Sequence, residues 1–367
     1  MKIAYFLGGL NRGGAETIVL DICKNREVAP FEICCIYRKE GDYSDSFHAT
    51  DVPLYQLKRD GGKLSYLINF RKLVLRNHID VVHAQTPLNA LICFFALMFA
   101  KVKVVTTFHG FSFSDAPKWY RAIVYKKSKC IICVSDFQKK FYSEKWRLPS
   151  CCKLKVVYNG VDFSKFEKKK ETDDNCPEES GLLKMAMVGS FVGGRNQMFV
   201  CEVLKELEDR CVPFDFYFIG RRDAHEYQRY DDCVAYCEKI GLKDRVHFLG
   251  GRSDVPELLK EMDLFVYASE HDTFGIAVLE ALASGLPVIV NDWDVMKEIT
   301  DNGTYADLYK TDDVNDCVEK IIRFVENRKE HPEELKIKNE RIAAEVKEKY
   351  SISSHIGKLN EVYLSIL

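Results

Sequence analysis

The segment Ser269–Asp292, SEHDTFGIAVLEALASGLPVIVND, decides the fold of this chain. The apolar run Leu264–Ala268 that precedes it predicts a buried strand, and apolar residues at helical spacing follow after a short polar loop. This helix is predicted to open at Thr273-Phe274-Gly275 and to end at Gly285. A second buried strand, Val288–Val290, comes next, so the segment predicts a strand–helix–strand unit of a parallel sheet.

The start of this helix is a candidate anion site. Backbone N–H groups and the positive end of the helix dipole at Thr273, Phe274 and Gly275 favour an anion such as a diphosphate. Gly275 would let that anion approach the backbone closely. An ordinary loop that only connects the strand and the helix is the alternative interpretation.

Two carboxylates flank the helix start, Asp272 and Glu280, eight residues apart. On a continuous helix this offset is about 12 Å of axial rise. A hydrolytic carboxylate pair needs a separation of roughly 5–9.5 Å, so the two residues are not expected to act on one bond. They are expected to hold the two ends of one extended ligand.

The length and charge of the chain predict two domains of different character. At 367 residues the chain exceeds the size at which one core stops growing. Residues 1–165 carry a net charge of +12 and the remainder carries −14. A basic first half would attract an anionic partner, such as a phosphorylated carrier or an acidic membrane surface, although plain charge asymmetry between two domains explains it equally.

The fourteen cysteines do not form a disulfide or metal framework. Cys130 and Cys133 make a CxxC within a predicted strand, where positions i and i+3 point to opposite faces. No other pair has zinc-site spacing, and reduced thiols fit a cytoplasmic protein. The most apolar segment, Leu91–Ala100, has half the length of a membrane span, so no transmembrane segment is expected. The basic and aromatic segment 118–127 predicts a helix that could lie on a membrane surface, or simply a solvated basic helix.

Strands and helices alternate along most of the chain, which predicts parallel sheets covered on both faces. The charged segment Lys168–Gly181 lacks apolar periodicity and is predicted to be a linker. Glycine-bearing turns follow the first strand of each half, at Gly13-Gly14 and at Gly189–Asn196. No dinucleotide-binding fingerprint or P-loop can be written across the first of these turns. The Asp-x-Asp at Asp292–Asp294 is interpreted as turn chemistry rather than a metal site.

These motifs together resemble the GT-B glycosyltransferases of glycosyltransferase family 4. The resemblance rests on Asn11–Gly14, Phe108-His109-Gly110, Asn159–Asp162, Gly189-Ser190 and the Asp272–Glu280 segment. The family pattern is written Glu-x7-Glu, and here Asp272 stands at its first position, with Glu270 nearby. Ser190 stands where the family has an arginine, and Arg195 where it has a lysine.

The resemblance implies two Rossmann-like doubly wound domains that face a cleft. The expected boundaries are 1–165 for the acceptor-side domain, 166–350 for the nucleotide-sugar domain and 351–367 for a helix that packs back on the first domain. It also implies a role for each candidate residue. Asp272, His109 and Arg195 are the candidate catalytic residues, and the candidate donor-binding residues are Gly14, Ser190, Arg195, Arg252, Thr273, Phe274, Gly275, Ile276, Ala277 and Glu280. Glu280 would bind the ribose, Asp272 and His109 would face the donor sugar, and Arg195 would hold the diphosphate.

The implied activity is transfer of a hexose from a nucleoside diphosphate sugar, with a UDP-sugar expected and a GDP-sugar as the alternative. The acceptor would be a glycan or a lipid-linked molecule in cell-surface polysaccharide synthesis, and anomeric configuration would be retained. No metal, no separate cofactor and no nucleic-acid partner are expected, and the location would be the cytoplasm, with peripheral attachment to the inner face of the membrane as an option. A sugar-nucleotide 2-epimerase, a polysaccharide phosphorylase and a non-catalytic nucleotide-sugar-binding subunit remain alternatives.

Overall fold

The computed structural model describes residues 1–58, 61–147, 153–167 and 182–367. The predicted linker 168–181 lies outside the described residues. By its internal contacts the chain divides into two compact units, unit 1 (Met1–Asp162 and Tyr350–Leu367) and unit 2 (Phe163–Lys349). Each unit is built on one parallel sheet.

Unit 1 holds a seven-stranded parallel sheet in the order β3-β2-β1-β4-β5-β6-β7. Its strands are β1 (Lys2–Phe6), β2 (Glu32–Tyr37), β3 (Leu54–Gln56), β4 (Val81–Ala84), β5 (Lys103–Phe108), β6 (Cys130–Cys133) and β7 (Leu154–Val156). The helices between them are α1 (Gly14–Lys24), α2 (Ser44–His48), α3 (Lys63–Arg76), α4 (Pro87–Ala96), α5 (Lys118–Lys127) and α6 (Asp136–Trp146).

Local sequence explains where several of these helices begin. The Thr86 side chain accepts a hydrogen bond from the backbone N–H of Asn89, and Pro87 occupies the first turn of α4. This cap starts α4 at Pro87, four residues before the apolar run that begins at Leu91. Ser135 caps α6 in the same way, through the N–H of Gln138.

The last helix of the chain, α15 (Ile352–Leu364), is part of unit 1. The Tyr363 hydroxyl lies 2.7 Å from His83 Nδ1 and 3.1 Å from the Tyr5 hydroxyl, all three groups being buried. His355 Nδ1 lies 2.6 Å from the Tyr158 carbonyl oxygen, to which it donates. Polar contacts inside the core therefore fix this helix on the sheet, in addition to its buried apolar face.

Unit 2 holds a six-stranded parallel sheet in the order β10-β9-β8-β11-β12-β13. Its strands are β8 (Leu183–Val188), β9 (Phe214–Ile219), β10 (Val246–Gly250), β11 (Leu264–Tyr267), β12 (Val288–Asn291) and β13 (Asp307–Tyr309). Its helices are α7 (Ser164–Glu167), α8 (Gln197–Asp209), α9 (Tyr227–Lys239), α10 (Val255–Leu259), α11 (Ile276–Ala283), α12 (Asp294–Ile299), α13 (Val314–Glu330) and α14 (Pro332–Tyr350). The last residue of α14, Tyr350, already belongs to unit 1. The strand order reverses between β8 and β11, and ligands of open parallel sheets bind at such a point.

Candidate active site

The loop after β11 is held in place by the neighbouring strand β12. Asn291, at the end of β12, accepts a hydrogen bond from the Ser269 backbone N–H at 3.0 Å and donates one to the Ser269 carbonyl oxygen at 2.7 Å. The Asn291 amide thus pairs with the Ser269 backbone as the backbone of a neighbouring strand would, just beyond the strand ends. The loop 269–275 therefore leaves the sheet in a fixed direction.

The loop after β8 is joined to this loop by backbone contacts. The Gly194 carbonyl oxygen accepts hydrogen bonds from the Glu270 N–H at 2.9 Å and from the Ser269 hydroxyl at 3.2 Å. Gly194 has a φ of +95°, in the left-handed region that favours glycine. The two loops at the carboxyl ends of β8 and β11 consequently form one surface at the topological switch point of unit 2.

Arg195 lies between these two loops. Its Nε donates to the Tyr267 hydroxyl at 3.1 Å, and one terminal nitrogen donates to the Ser190 carbonyl oxygen at 3.3 Å. The side chain lies flat against Gly189, where an added Cβ would stand only 2.7 Å from Arg195 Cδ. The glycine of this turn therefore makes room for the arginine.

Tyr267 connects Arg195 to Asp272. The Tyr267 hydroxyl donates to Asp272 Oδ2 at 2.5 Å while it accepts from Arg195. Tyr267 and then Asp272 hold the pKa of Arg195 above its ordinary value, and burial together with the Asp272 charge raises the pKa of the Tyr267 phenol. Arg195 is therefore a permanent cation whose direction is set by a tyrosine and a carboxylate.

Sequence reasoning did not identify Tyr267 as a site residue. The sequence LFVY predicts only a buried apolar strand, and all four residues are buried. Its position could have indicated a role, because Tyr267 ends a strand at the switch point and a buried tyrosine hydroxyl normally needs a polar partner.

The helix α11 begins later than the sequence suggested. Its first residue is Ile276, and Gly275 precedes it with a φ of +87°. A Cβ at Gly275 would meet Ile299 Cδ1 at 2.9 Å and Met296 Cε at 3.0 Å, so packing as well as backbone conformation requires glycine. The prediction of a helix open from Thr273 is wrong because the left-handed Gly275 interrupts helical geometry there. Phe274 is buried and Thr273 half-buried in the loop that leads to it.

Glu280 lies on the partly exposed face of α11. Ile276, Ala277 and Glu280 are half-buried, whereas Val278, Leu279, Ala281, Leu282 and Ala283 are buried against the sheet. Among the residues that the structure describes, no side chain caps the start of α11. Because Asp272 lies in the loop and not on the helix, the separation expected for a continuous helix does not apply to the Asp272–Glu280 pair.

Two other charged candidates have partners of their own. Arg252 is exposed and makes a bidentate ion pair with Asp254 in its own loop, with N–O distances of 2.8 and 2.5 Å. Glu270 accepts a hydrogen bond of 2.7 Å from Asn196, which also caps α8. The structure therefore brings Ser190, Arg195 and Asp272 into one hydrogen-bonded group through Tyr267. Arg252 and Glu270 are outside this group and bind other partners.

In unit 1, His109 lies at the end of β5. Its Nε2 lies 2.9 Å from Gln85 Oε1, which fixes the ring from the neighbouring strand end. Burial, and next the nearby His355, lowers the pKa of His109 to about 4, so this imidazole is neutral near pH 7. His109 shares a cavity of about 10 Å³ with His83, His355 and Asn159, a space for no more than one water.

Gly14 is the first residue of α1 in unit 1. A Cβ added there would meet no atom within 4 Å, so the protein itself does not require glycine at this position.

The buried histidines predict a pH dependence of stability. Burial lowers the pKa of His355 to about 4, below the value of about 6.5 in an unfolded chain. Between these values the unfolded chain binds more protons, so stability falls as the pH decreases through this window. In His355→Gln, the loss of unfolding free energy between pH 7 and pH 5 should shrink by roughly 1–2 kcal/mol in urea titrations. The exposed His48→Gln is the matched control, and an unchanged loss in His355→Gln would contradict the expectation.

Comparisons with known proteins identify the family. The sequence model of "Glycosyltransferase Family 4" matches residues 12–165, and that of "Glycosyl transferases group 1" matches residues 168–342. A UDP-Gal:alpha-D-GlcNAc-diphosphoundecaprenol alpha-1,3-galactosyltransferase of Escherichia coli is 26% identical over 92% of this chain and 90% of its own length. The capsular polysaccharide biosynthesis glycosyltransferase CapH of Staphylococcus aureus is 24% identical over 77% of this chain and 78% of its own.

Solved structures agree in fold. HepE of Anabaena, crystallised with UDP, matches with a TM-score of 0.82 at 16% identity and full coverage of both chains. A glycosyltransferase of Rickettsia africae also matches at 0.82, with 18% identity over 99% of this chain and 98% of its own. The two parallel-sheet domains, the motifs in both units and the two matching family models lead to one conclusion. The chain belongs to the GT-B glycosyltransferases of glycosyltransferase family 4.

Proposed function

We propose that the protein transfers a hexose from a UDP-sugar to a glycan or lipid-linked acceptor during the synthesis of a cell-surface polysaccharide. The relatives named above support this choice, since one uses UDP-Gal and a diphosphoundecaprenol acceptor and the other acts in capsule biosynthesis. The main support for the proposal is the hydrogen-bonded series Arg195–Tyr267–Asp272 beside the start of α11. It places a fixed cation and a carboxylate at the carboxyl ends of β8 and β11.

In this proposal the diphosphate binds to Arg195 and to the N-terminus of α11. As the glycosidic bond to the diphosphate breaks, negative charge grows on the leaving phosphate. Arg195 and the backbone N–H groups of Ile276 and Ala277 would stabilise that charge, and these fixed groups would act without a metal ion. Asp292, the first residue of the Asp-x-Asp, accepts hydrogen bonds from the backbone N–H and the hydroxyl of Thr311, at 2.9 and 2.8 Å. These contacts support its interpretation as a turn residue.

The other contacts to the nucleotide sugar would come from Glu280, Asp272 and His109. Glu280 would accept hydrogen bonds from the ribose hydroxyls, and Asp272, aimed by Tyr267, would contact a hydroxyl of the donor sugar. In unit 1, the neutral His109, fixed by Gln85, would supply a hydrogen-bond donor or acceptor to the donor sugar, and Gly14 is proposed as a further donor-binding residue. Retention of anomeric configuration follows the family and forms part of the proposal.

We also propose that unit 1 associates with an anionic membrane surface on the cytoplasmic side. The helices α3, α4 and α5 and the turn after α4 carry large exposed apolar residues, among them Phe99 at 95% and Trp119 at 59% exposure. Lys126 and Lys127 are exposed at the end of α5. Apolar and basic residues on one group of helices are typical of interfacial attachment. Within the described residues, no helix is both long and apolar enough to cross a membrane.

The alternatives receive no support from these observations. Several of the relatives that match carry the names of glycosyltransferases, and nothing favours a sugar-nucleotide epimerase or a phosphorylase. The experiment that tests the proposed function is a thermal-shift screen with UDP, GDP, ADP and their sugars, followed by NMR of the products. Binding of UDP-sugar with conversion to an epimer in the absence of acceptor would contradict the proposal.

Glu280→Gln should weaken nucleotide binding selectively. The amide keeps the size of the side chain but loses the charge-assisted hydrogen bonds to the ribose, which are worth about 1.5–3 kcal/mol. We expect a tenfold or greater rise in the dissociation constant for UDP by calorimetry, at about that energy cost. The control is Glu298→Gln on α12, and equal binding by Glu280→Gln and wild type would remove Glu280 from the donor site.

Tyr267→Phe should reduce turnover with little effect on folding. The ring stays in the core, but Arg195 and Asp272 lose the hydroxyl that joins them. We expect kcat to fall by roughly tenfold to a hundredfold, because the cation and the carboxylate are no longer held in position. Tyr217→Phe on β9 is the matched control, and normal turnover in Tyr267→Phe would show that the hydroxyl is dispensable.

A further inference from the structure

Unit 1 contains a second concave feature, between α5 and the end of α6, that the proposed reaction has not used. This α5–α6 groove has a volume of about 500 Å³. Four cationic and two aromatic side chains line it, Lys118, Arg121, Lys145, Arg147, Tyr125 and Trp146. It lies entirely within unit 1.

The groove carries an excess of positive charge. Lys145 is neutralised by Asp115 at 2.8 Å and also donates to the Ser114 hydroxyl at 3.2 Å. Lys118 and Arg147 make no ion pair within the part of the chain that the structure describes. Like charges around one concave surface repel one another, and an anion in the groove would relieve that repulsion.

Two N–H donors beside the groove lack acceptors. Arg121 Nε and Trp146 Nε1 are buried and make no hydrogen bond within the described ranges. A buried donor without an acceptor costs about 1–3 kcal/mol, so such a group in a native protein needs an explanation. An oxyanion bound in the groove against Arg121 and Trp146 would supply the missing acceptors.

The groove is also connected to the loop that carries His109. Arg121 donates to the Ser114 carbonyl oxygen at 3.1 Å, in the segment that follows this loop. The ring of Trp146 contacts that of Phe108, the residue before His109, with centroids 5.8 Å apart. The groove therefore lies on the face of the sheet that carries Phe108, and His109 faces the opposite side at the end of the same strand.

We propose that the α5–α6 groove binds a phosphate group of the acceptor. This inference rests on the proposed function, since it names the part of the acceptor that the enzyme grips. The guanidinium and indole N–H groups favour a multiply charged tetrahedral oxyanion over a single carboxylate. The rings of Tyr125 and Trp146 pack against the apolar carbons that continue from the phosphate.

The test uses the full chain carrying Arg195→Ala, which removes the competing phosphate cation of unit 2, and inorganic pyrophosphate as the probe in calorimetry. In this background we expect one binding site. Adding Trp146→Phe, which removes the indole N–H together with the five-membered ring that carries it, or Arg121→Gln should weaken that binding by about tenfold or more. Lys127→Gln, on the same helix but outside the groove, should stay within about twofold. Circular dichroism of each variant shows whether it is folded.

Absence of pyrophosphate binding, or equal binding by all folded groove variants, would overturn the proposal. A second arm separates the two sources of phosphate, with vesicles of phosphatidylcholine that do or do not contain phosphatidylglycerol. If Trp146→Phe loses binding to the anionic vesicles but keeps pyrophosphate, the groove holds a lipid headgroup and the acceptor site is refuted. Failure of wild-type protein to bind UDP would instead count against the proposed function, and the pyrophosphate result in the groove would stand by itself.

Discussion

Arg195→Ala is expected to lower kcat by roughly 10²- to 10³-fold, or about 3–4 kcal/mol of barrier, while the fold stays intact. The residue supplies the fixed cation of the candidate donor site and donates to Tyr267 and Ser190. Its loss leaves the charge that develops on the leaving phosphate without this partner. The measurement is initial-rate kinetics with the nucleotide sugar identified by thermal shift.

Arg195→Lys separates charge from geometry. Lysine keeps the positive charge but cannot donate to Tyr267 and to the diphosphate with the same planar group. We expect a rate between those of wild type and Arg195→Ala. If Arg195→Ala turns over at the wild-type rate, Arg195 has no part in the mechanism.

Gly220→Ala should strongly destabilise unit 2 and with it the donor site. Gly220 follows β9, and a Cβ there would stand 1.8 Å from the carbonyl oxygen of Gly189, a backbone atom that cannot rotate away. The ends of β8 and β9 would have to separate, which moves the turn against which Arg195 lies. Overpacking costs about 1–3 kcal/mol and more where backbone must move, so we expect a loss of about 3 kcal/mol or more in urea unfolding.

The control for this change is Gly357→Ala in α15, where an added Cβ meets no atom within 4 Å. Alanine is the better helix former, so this variant should be neutral or stabilised by up to about 1 kcal/mol. A Gly220→Ala protein as stable as wild type would contradict the close packing of Gly220 on the Gly189 carbonyl oxygen.

The sequence contained enough to predict the fold class, because alternating apolar strands and amphipathic helices have few architectural solutions. It also predicted Arg195 and Asp272 as site residues, and the structure joins them. It could not predict how they are joined, since Tyr267 belongs to an apolar strand pattern and its hydroxyl shows its role only when β11 lies beside β8. That arrangement pairs residues distant in sequence, Leu264 with Met185 and Phe265 with Ala186.

Two details of the site depend on local geometry that periodicity does not reveal. The helical pattern of Phe274, Ala277 and Val278 continues through Gly275, but the left-handed φ of Gly275 delays α11 to Ile276. Likewise the family resemblance implies that Arg252 is a donor-binding residue. Only the structure shows that Asp254, two residues later, holds its guanidinium.

The central claim is that unit 2 binds a nucleoside diphosphate sugar through Arg195 and Glu280 without a metal ion. Calorimetry with UDP and UDP-sugars in the presence of EDTA tests it most directly, on wild type, Arg195→Ala and Glu280→Gln. We expect wild type to bind in EDTA and each variant to bind at least about tenfold more weakly. Binding that requires a divalent cation, or that is equal in all three proteins, would contradict it.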